Sequence, residues 1–349
     1  MTFEEARALF PALERIAYLN AGSMGPLATA TFETMQAELC RQLEKGRGGL
    51  PFFERMVELR AAVREQLAGL LAVKSENLAL TTSTTEACNI VLSGLDLGPE
   101  DEIVTSDSEH FGLLGALHAS GASIRVAPEG GIADAVTDRT RLIAISHVSW
   151  VTGNLLEPAQ VKEQTGLPVL VDGAQSVGAV PVGASPFDFY TVSGQKWLCG
   201  PDGTGALYVR DPEALRIAWP SYFSQETHEL DGTFQPWPTA ARFDPAWIPP
   251  ASLSGLLAAL GLAPDWRYDR IAELAAACRG RLAERFEVVT APGQAGLVSF
   301  RPGEDPAEVS ARLYEAGVVV RFLPGTDLVR VSCGWWNSED DLERLLAAL

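Results

Sequence analysis

The chain has 349 residues, 47% of them hydrophobic, enough to bury a core as one large or two ordinary globular domains. Its 27 Lys and Arg against 45 Asp and Glu leave a net charge of −18, which argues against nucleic acid or an anionic membrane as a partner. No apolar run approaches the ~20 residues of a membrane span, MTFEEARALF is no secretory signal, and five scattered cysteines form no C-x-x-C pair, so a cytoplasmic chain with no bound metal and no disulfide framework is expected.

Residues 3–10 read as a short helix, and Ile16 to Gly22 leads into a loop closed by Gly25-Pro26. Apolar residues at helical spacing predict helices over 27–44 and 51–71, separated by the Gly-rich link 46–49. A short strand over 78–80 runs into Thr81-Thr82-Ser83-Thr84-Thr85-Glu86 and a helix through Leu95. That hydroxyl run reads either as a simple cap, Ser83 with Glu86, or as an anion site at a helix N-terminus. A strand over 102–106 is followed by Asp107-Ser108-Glu109-His110 at a helix start, where a histidine is also an ordinary capped surface residue. A buried strand over 141–146 precedes His147 to Gly153, and 158–165 reads as a helix.

The densest chemistry lies between Pro168 and Arg210. Val169 to Val171 reads as a buried strand with Asp172 at its carboxyl end, where ligand groups project in open α/β sheets. A second strand over 187–192 delivers Ser193-Gly194-Gln195-Lys196 into a Gly-rich turn. An acid and a lysine at neighbouring strand ends suit pyridoxal phosphate (PLP): the amine binds its aldehyde and the carboxylate keeps its ring nitrogen protonated. Taken singly, Asp172 is equally a loop residue and Lys196 a surface charge.

Residues 220–250, rich in Trp and Pro, read as a long ordered loop of the kind that is functional or interfacial. Beyond them the pattern becomes helices over 251–262 and 265–286, strands over 287–290 and 297–300, a helix over 306–316, a strand pair over 318–322 and 328–332, and a helix over 338–348. Alternating strands and helices up to about residue 210 predict an α/β fold with a mostly parallel sheet. The expected division is a large domain over 15–250 and a small α+β domain over 251–349, against which residues 1–14 pack.

DGAQ followed by SGQKW and GPDGTGALYV resembles the PLP-dependent class V aminotransferase family, which contains cysteine desulfurases, cystine lyases and isopenicillin N epimerase-like proteins. The resemblance extends over nearly the whole chain and implies PLP fold type I and a homodimer. It implies that Lys196 holds PLP and acts as general base, that Asp172 partners the ring nitrogen, and that His110 stacks on the ring. By the same likeness Gln175 faces the ring hydroxyl, while Thr84, Thr85, Ser193 and Gln195 contact the phosphate. Arg330 in VRVS, by itself equally a surface arginine, becomes the clamp on the substrate carboxylate, with Asn20 of YLNAGS and Arg321 near the pocket.

The departures from the family pattern narrow the reaction. Trp150 stands where desulfurases carry an asparagine that helps hold substrate, and Gln195 where they carry a histidine. Trp247 takes the place of a threonine that reaches the neighbouring subunit's phosphate in many relatives. The loop Phe322 to Val329 has no cysteine where desulfurases carry their nucleophile; Cys333 reads as buried packing and Cys199 as a minor alternative. A C–S lyase acting by β-elimination on cystine or cysteine is therefore expected, with transamination, epimerisation, desulfuration or a non-catalytic scaffold as alternatives.

Overall fold

Strands that carry no polar alternation must be covered on both faces, and several runs in this chain are buried at every position. The computed structural model describes residues 1–349. A short β1 (Ala17–Tyr18) precedes β2 (Leu78–Thr81), β3 (Glu102–Ser106), β4 (Ser123–Ala127), β5 (Thr140–Ser146), β6 (Val169–Asp172), β7 (Phe189–Ser193) and β8 (Gly205–Val209). The last seven form one sheet in the order β2-β8-β7-β6-β5-β3-β4. All its pairings are parallel except those of β8, which runs antiparallel to β2 and to β7.

Helix Leu50–Leu70 and helix Pro250–Leu260 cover one face of this sheet through a core that includes Leu59, Leu67, Ile145, Val171 and Leu256. Helices Thr84–Gly94 and Phe111–Ala119 cover the other, with Val91, Leu113, Leu142 and Leu207 among the buried residues. The sheet is thus a wall between two cores, and its carboxyl edge is where loops can hold polar groups.

The segment expected to be one long loop contains more order than its composition suggests. β9 (Gln225–His228) and β10 (Phe234–Pro236) form an antiparallel hairpin around Asp231-Gly232, flanked by short 3-10 turns. Asp244 then pins the segment. It accepts hydrogen bonds from Arg60 (2.9 Å), Arg64 (2.5 Å) and the Leu80 amide (2.8 Å).

C-terminal to these, β11 (Glu287–Val288), β12 (Leu297–Arg301), β13 (Val318–Val319), β14 (Arg321–Phe322) and β15 (Val329–Ser332) follow. Four of them form an antiparallel sheet in the order β11-β12-β15-β14. The strand expected over 318–322 is split: β13 pairs in parallel with β1, and only β14 pairs with β15. The N-terminal segment is further fixed by Arg7, whose guanidinium contacts Asp341 and the Trp336 carbonyl. Between the two sheets lies an aromatic layer of Phe10, Trp197, Trp335 and Trp336.

Arg60 and Asp244 are both almost fully buried, so truncating the acid strands a cation away from water. Asp244→Ala is expected to destabilise the protein by about 3–5 kcal/mol. Urea unfolding monitored by tryptophan fluorescence, with an unchanged m-value, checks it.

Candidate active site

The strand ends along the carboxyl edge of the large sheet converge on one cavity of about 580 Å³, including its open mouth. Its lining joins Ser83, Thr84 and Thr85 from the turn after β2, His110 after β3, Ser146 and Trp150 after β5, and Asp172, Ala174 and Gln175 after β6, with Ser193, Gln195 and Lys196 after β7. Ten of the twelve side chains singled out in the sequence lie in this lining or, like Arg330, against one of its members.

The hydroxyl end is built on a helix N-terminus. Ser83 caps helix Thr84–Gly94 by accepting from the Glu86 amide at 3.1 Å, while Glu86 in turn accepts from the Thr82 amide and hydroxyl. Capping and anion binding are therefore compatible here: Ser83 is used by the cap, and Thr84 and Thr85 remain at the cavity. Across from them the Ser193 hydroxyl donates to Gln195 Oε1 at 2.9 Å, which orients the Gln195 amide and leaves its N–H₂ free to donate.

At the other end stand the titratable groups. Asp172 is buried, and burial raises its pKa against the opposing pull of Lys196 and hydrogen bonds from the Ala174 amide and Thr191. Lys196 is half-buried, and desolvation lowers it to about 8, with Arg330 and Arg321 adding to the shift and Asp172 resisting it. His110 is lowered to about 4 by burial and then by Lys196, Arg330 and Arg321. Its Nδ1 accepts from the Gly112 amide at 3.0 Å, which places the proton of the neutral ring on Nε2. Gly112 sits so close that an added Cβ would stand 2.6 Å from Thr85 Oγ1 and 3.0 Å from His110 Nδ1.

Gln175 is engaged at both ends of its amide. It donates to the Gly22 carbonyl (2.8 Å) and accepts from Trp197 Nε1 (3.0 Å), so it ties the N-terminal loop to the residue after Lys196. Trp150 is buried, edge-on to His110 at 4.8 Å and packed with Leu323 and Leu328 from the cysteine-free loop. Its carbonyl accepts from Arg330 Nη1 at 3.0 Å.

Arg330 lies behind the lining rather than in it. It is buried, its Nε has no partner, and burial together with Arg321 lowers it to about 9. The N-terminal loop is laid directly on it: a Cβ at Gly22 would meet Arg330 Nη2 at 2.7 Å. Asn20 and Arg321 do not line the cavity. Asn20 bridges to Ser332 and accepts from Ser23, whose hydroxyl Arg321 also contacts at 3.4 Å. Trp247 stacks on Phe52 and is half-exposed, away from the cavity. Cys199 and Cys333 are buried with thiols pushed well up, Cys199 by burial alone, so neither is poised as a thiolate. Ser146, Val148 and Ala174 join the lining without having been singled out; Ser146 follows an apolar strand, the same signal that marks Asp172.

No group of three or more His, Cys, Asp or Glu side chains is arranged to hold a metal ion. No helix is long and apolar enough to cross a membrane. The donor set matches PLP: a helix N-terminus and hydroxyls suit a phosphate, a buried carboxylate suits a ring nitrogen, and a lysine with a lowered pKa suits an aldehyde.

The sequence profile of the family described as Aminotransferase class-V matches residues 18–345. The chain is 32% identical to an isopenicillin N epimerase of Amycolatopsis lactamdurans, over 95% of this chain and 94% of that one. It is 28% identical to a cysteine desulfurase of Serratia proteamaculans, over 99% and 97%. Among solved structures it is similar to the cystine C–S lyase C-DES, seen with its product cysteine persulfide, at a TM-score of 0.90 and 29% identity over 97% and 98%. A lysine-to-alanine variant of C-DES, with glycine covalently linked to its PLP cofactor, gives a TM-score of 0.92. The chain belongs to the class V aminotransferase family of PLP-dependent enzymes, with fold type I architecture.

Proposed function

We propose that this enzyme breaks the Cβ–S bond of cystine- or cysteine-type amino acids by β-elimination. The observation that carries the reading is the composition of the cavity: Lys196, Asp172 and His110 line it, and no thiol does. Removal of an α-proton needs a base, an electron sink and a carboxylate anchor, whereas desulfuration needs a sulfur nucleophile as well. Similarity to the cystine C–S lyase C-DES supports the same choice.

When bound, PLP supplies an aldehyde for an amine and a ring that takes up the electron pair left at Cα. Thr84, Thr85, Ser193 and Gln195 would hold its phosphate, and Lys196 its aldehyde carbon. Asp172 would face the ring nitrogen and favour its protonated form. Gln175 and Trp197 brace the turn that carries Lys196. His110, neutral at pH 7, offers an Nε2 proton and a ring face. Arg330 remains cationic at neutral pH and receives the substrate carboxylate, with Arg321 and Asn20 beside it.

Lys196 Nζ would take the Cα proton. Sulfur leaves Cβ with its bonding pair, and hydrolysis by water releases pyruvate and ammonia. From cystine the leaving fragment is cysteine persulfide; from cysteine it is hydrogen sulfide. The same reading includes a homodimer, supported by apolar Leu39, Leu43, Leu50 and Val57 exposed on helices Thr29–Lys45 and Leu50–Leu70. Epimerisation or amino transfer is a second reading, favoured by the 32% identity to isopenicillin N epimerase. It shares the proton removal and differs in the product.

Purified, PLP-loaded protein incubated with cystine is expected to release pyruvate and ammonia; alanine would establish desulfuration, and an inverted or transaminated product the second reading. Lys196→Ala is expected to lose the borohydride-fixed cofactor adduct, checked by mass spectrometry. In the wild type the rate of PLP uptake by apoprotein should rise with pH through about 8, as the neutral amine is formed. Asp172→Ala should cut turnover by about 100-fold or more, read from steady-state kinetics.

A further inference from the structure

Glu109 is a buried carboxyl that the chemistry above does not use. It occupies a place where the sheet comes apart. The registered pairs of β3 with β5 end at Val104–Ile143, whereas β5 and β6 stay paired as far as Ser146–Asp172. Beyond Ile143 side chains take over the link between the two strands: Thr105 Oγ1 donates to the Ala144 carbonyl at 2.7 Å, and further along Glu109 joins the strand ends. Its Oε1 accepts from Ser106 Oγ at 2.6 Å and from the Ser146 amide at 2.9 Å, and its Oε2 accepts from Ser146 Oγ at 2.5 Å. One side chain thus joins the carboxyl ends of two strands after their backbone ladder has ended.

Both strands it joins carry cavity groups. Glu109 precedes His110 in the chain, and Ser146 lies opposite Asp172 in the sheet. We propose that Glu109 is a positioning residue, whose carboxyl sets where His110 and Asp172 meet the cavity by tying Ser106 to Ser146.

The tie is also titratable. Burial raises Glu109 to about 7, its hydrogen bonds from Ser106 and Ser146 resist this, and Asp172 adds to it. The other groups facing this region are Cys88 from helix Thr84–Gly94, Lys196 beyond Asp172, His110, and Glu129, which accepts from Ser108 at 2.6 Å. A carboxyl whose folded pKa exceeds its unfolded one favours the folded state while protonated. That contribution is present below the ordinary carboxyl pKa and is lost as pH rises to about 7.

The test uses the full chain as wild type, E109Q, E109A and E109D, each as apoprotein and after loading with PLP. E109Q keeps an acceptor and can donate to a serine hydroxyl, so its PLP dissociation constant, read by tryptophan quenching, should stay within about threefold of wild type, whereas E109A should weaken it about tenfold or more. The circular dichroism of bound PLP should likewise be retained in E109Q and reduced in E109A. E109D, too short to span both serines, should fall between them, and it decides the comparison should E109A not fold. Urea unfolding of the apoproteins should show the stability of wild type relative to E109Q falling by up to one proton's linkage between about pH 5 and pH 7. Unchanged PLP affinity and dichroism in E109A or E109D, or no pH-dependent difference between wild type and E109Q, would overturn the assignment. The proposed β-elimination stands or falls on its products and leaves these readouts unaffected.

Discussion

Asp172 and Lys196 act on each other's charge at the buried end of one cavity, and desolvation outweighs their attraction for both. Each pulls the other toward its ionised form, yet the acid is raised and the lysine lowered. A surface pair would remain ionised and contribute little. Here the lysine is lowered to about 8, where its free amine is available at mild pH, and burial raises the acid. A protonated heterocycle and an aldehyde would satisfy both groups together.

The sheet makes this arrangement possible. Its parallel strands deliver every polar group at the same edge, because a parallel ladder points all carboxyl ends one way. Helix N-termini follow at that edge, so donors suited to an anion arrive beside the acid and the lysine without a dedicated element. The cost is that backbone groups at the edge lose their partners as the strands diverge. Side chains replace them: Glu109 between β3 and β5, Gln175 between the N-terminal loop and Trp197, Ser193 onto Gln195. These are interior braces for a polar surface.

Much of the site is legible in the sequence because strand-end residues announce themselves. Apolar runs ending in Asp172, in Ser193 and near His110 mark where polar groups project, and SGQKW and DGAQ make the likeness specific. What is less legible depends on contacts distant in sequence. Glu109 stands beside His110 in the sequence, but its partner Ser146 lies 37 positions away. β4 is half-exposed along its length, so SIRVA has no buried run to betray it. The hairpin of β9 and β10 has a local signal in Asp231-Gly232, obscured by a setting dense in Trp and Pro. The break at Val320 arises because β13 finds its partner in β1, some 300 residues earlier. Asn20, Arg321 and Arg330 are also less direct: they reach the cavity's vicinity through tertiary packing of the N-terminal loop and C-terminal sheet.

Arg330 is tied through Trp150 to the cysteine-free loop. A buried guanidinium has lost its hydration, and the only protein acceptor it gains is the Trp150 carbonyl, a group any residue at that position supplies. What the indole adds is bulk: it packs edge-on to His110 and against Leu323 and Leu328 of the cysteine-free loop. Desolvation then lowers Arg330, and its Nε is left without a partner. An anion placed there would recover both the charge compensation and the hydrogen bond, in surroundings where each is worth more than in water. On the proposed reading the substrate carboxylate is that anion. On the same reading, Leu323 and Leu328 of the cysteine-free loop would serve the reaction by holding Trp150 beside the arginine that would position Cα for Lys196.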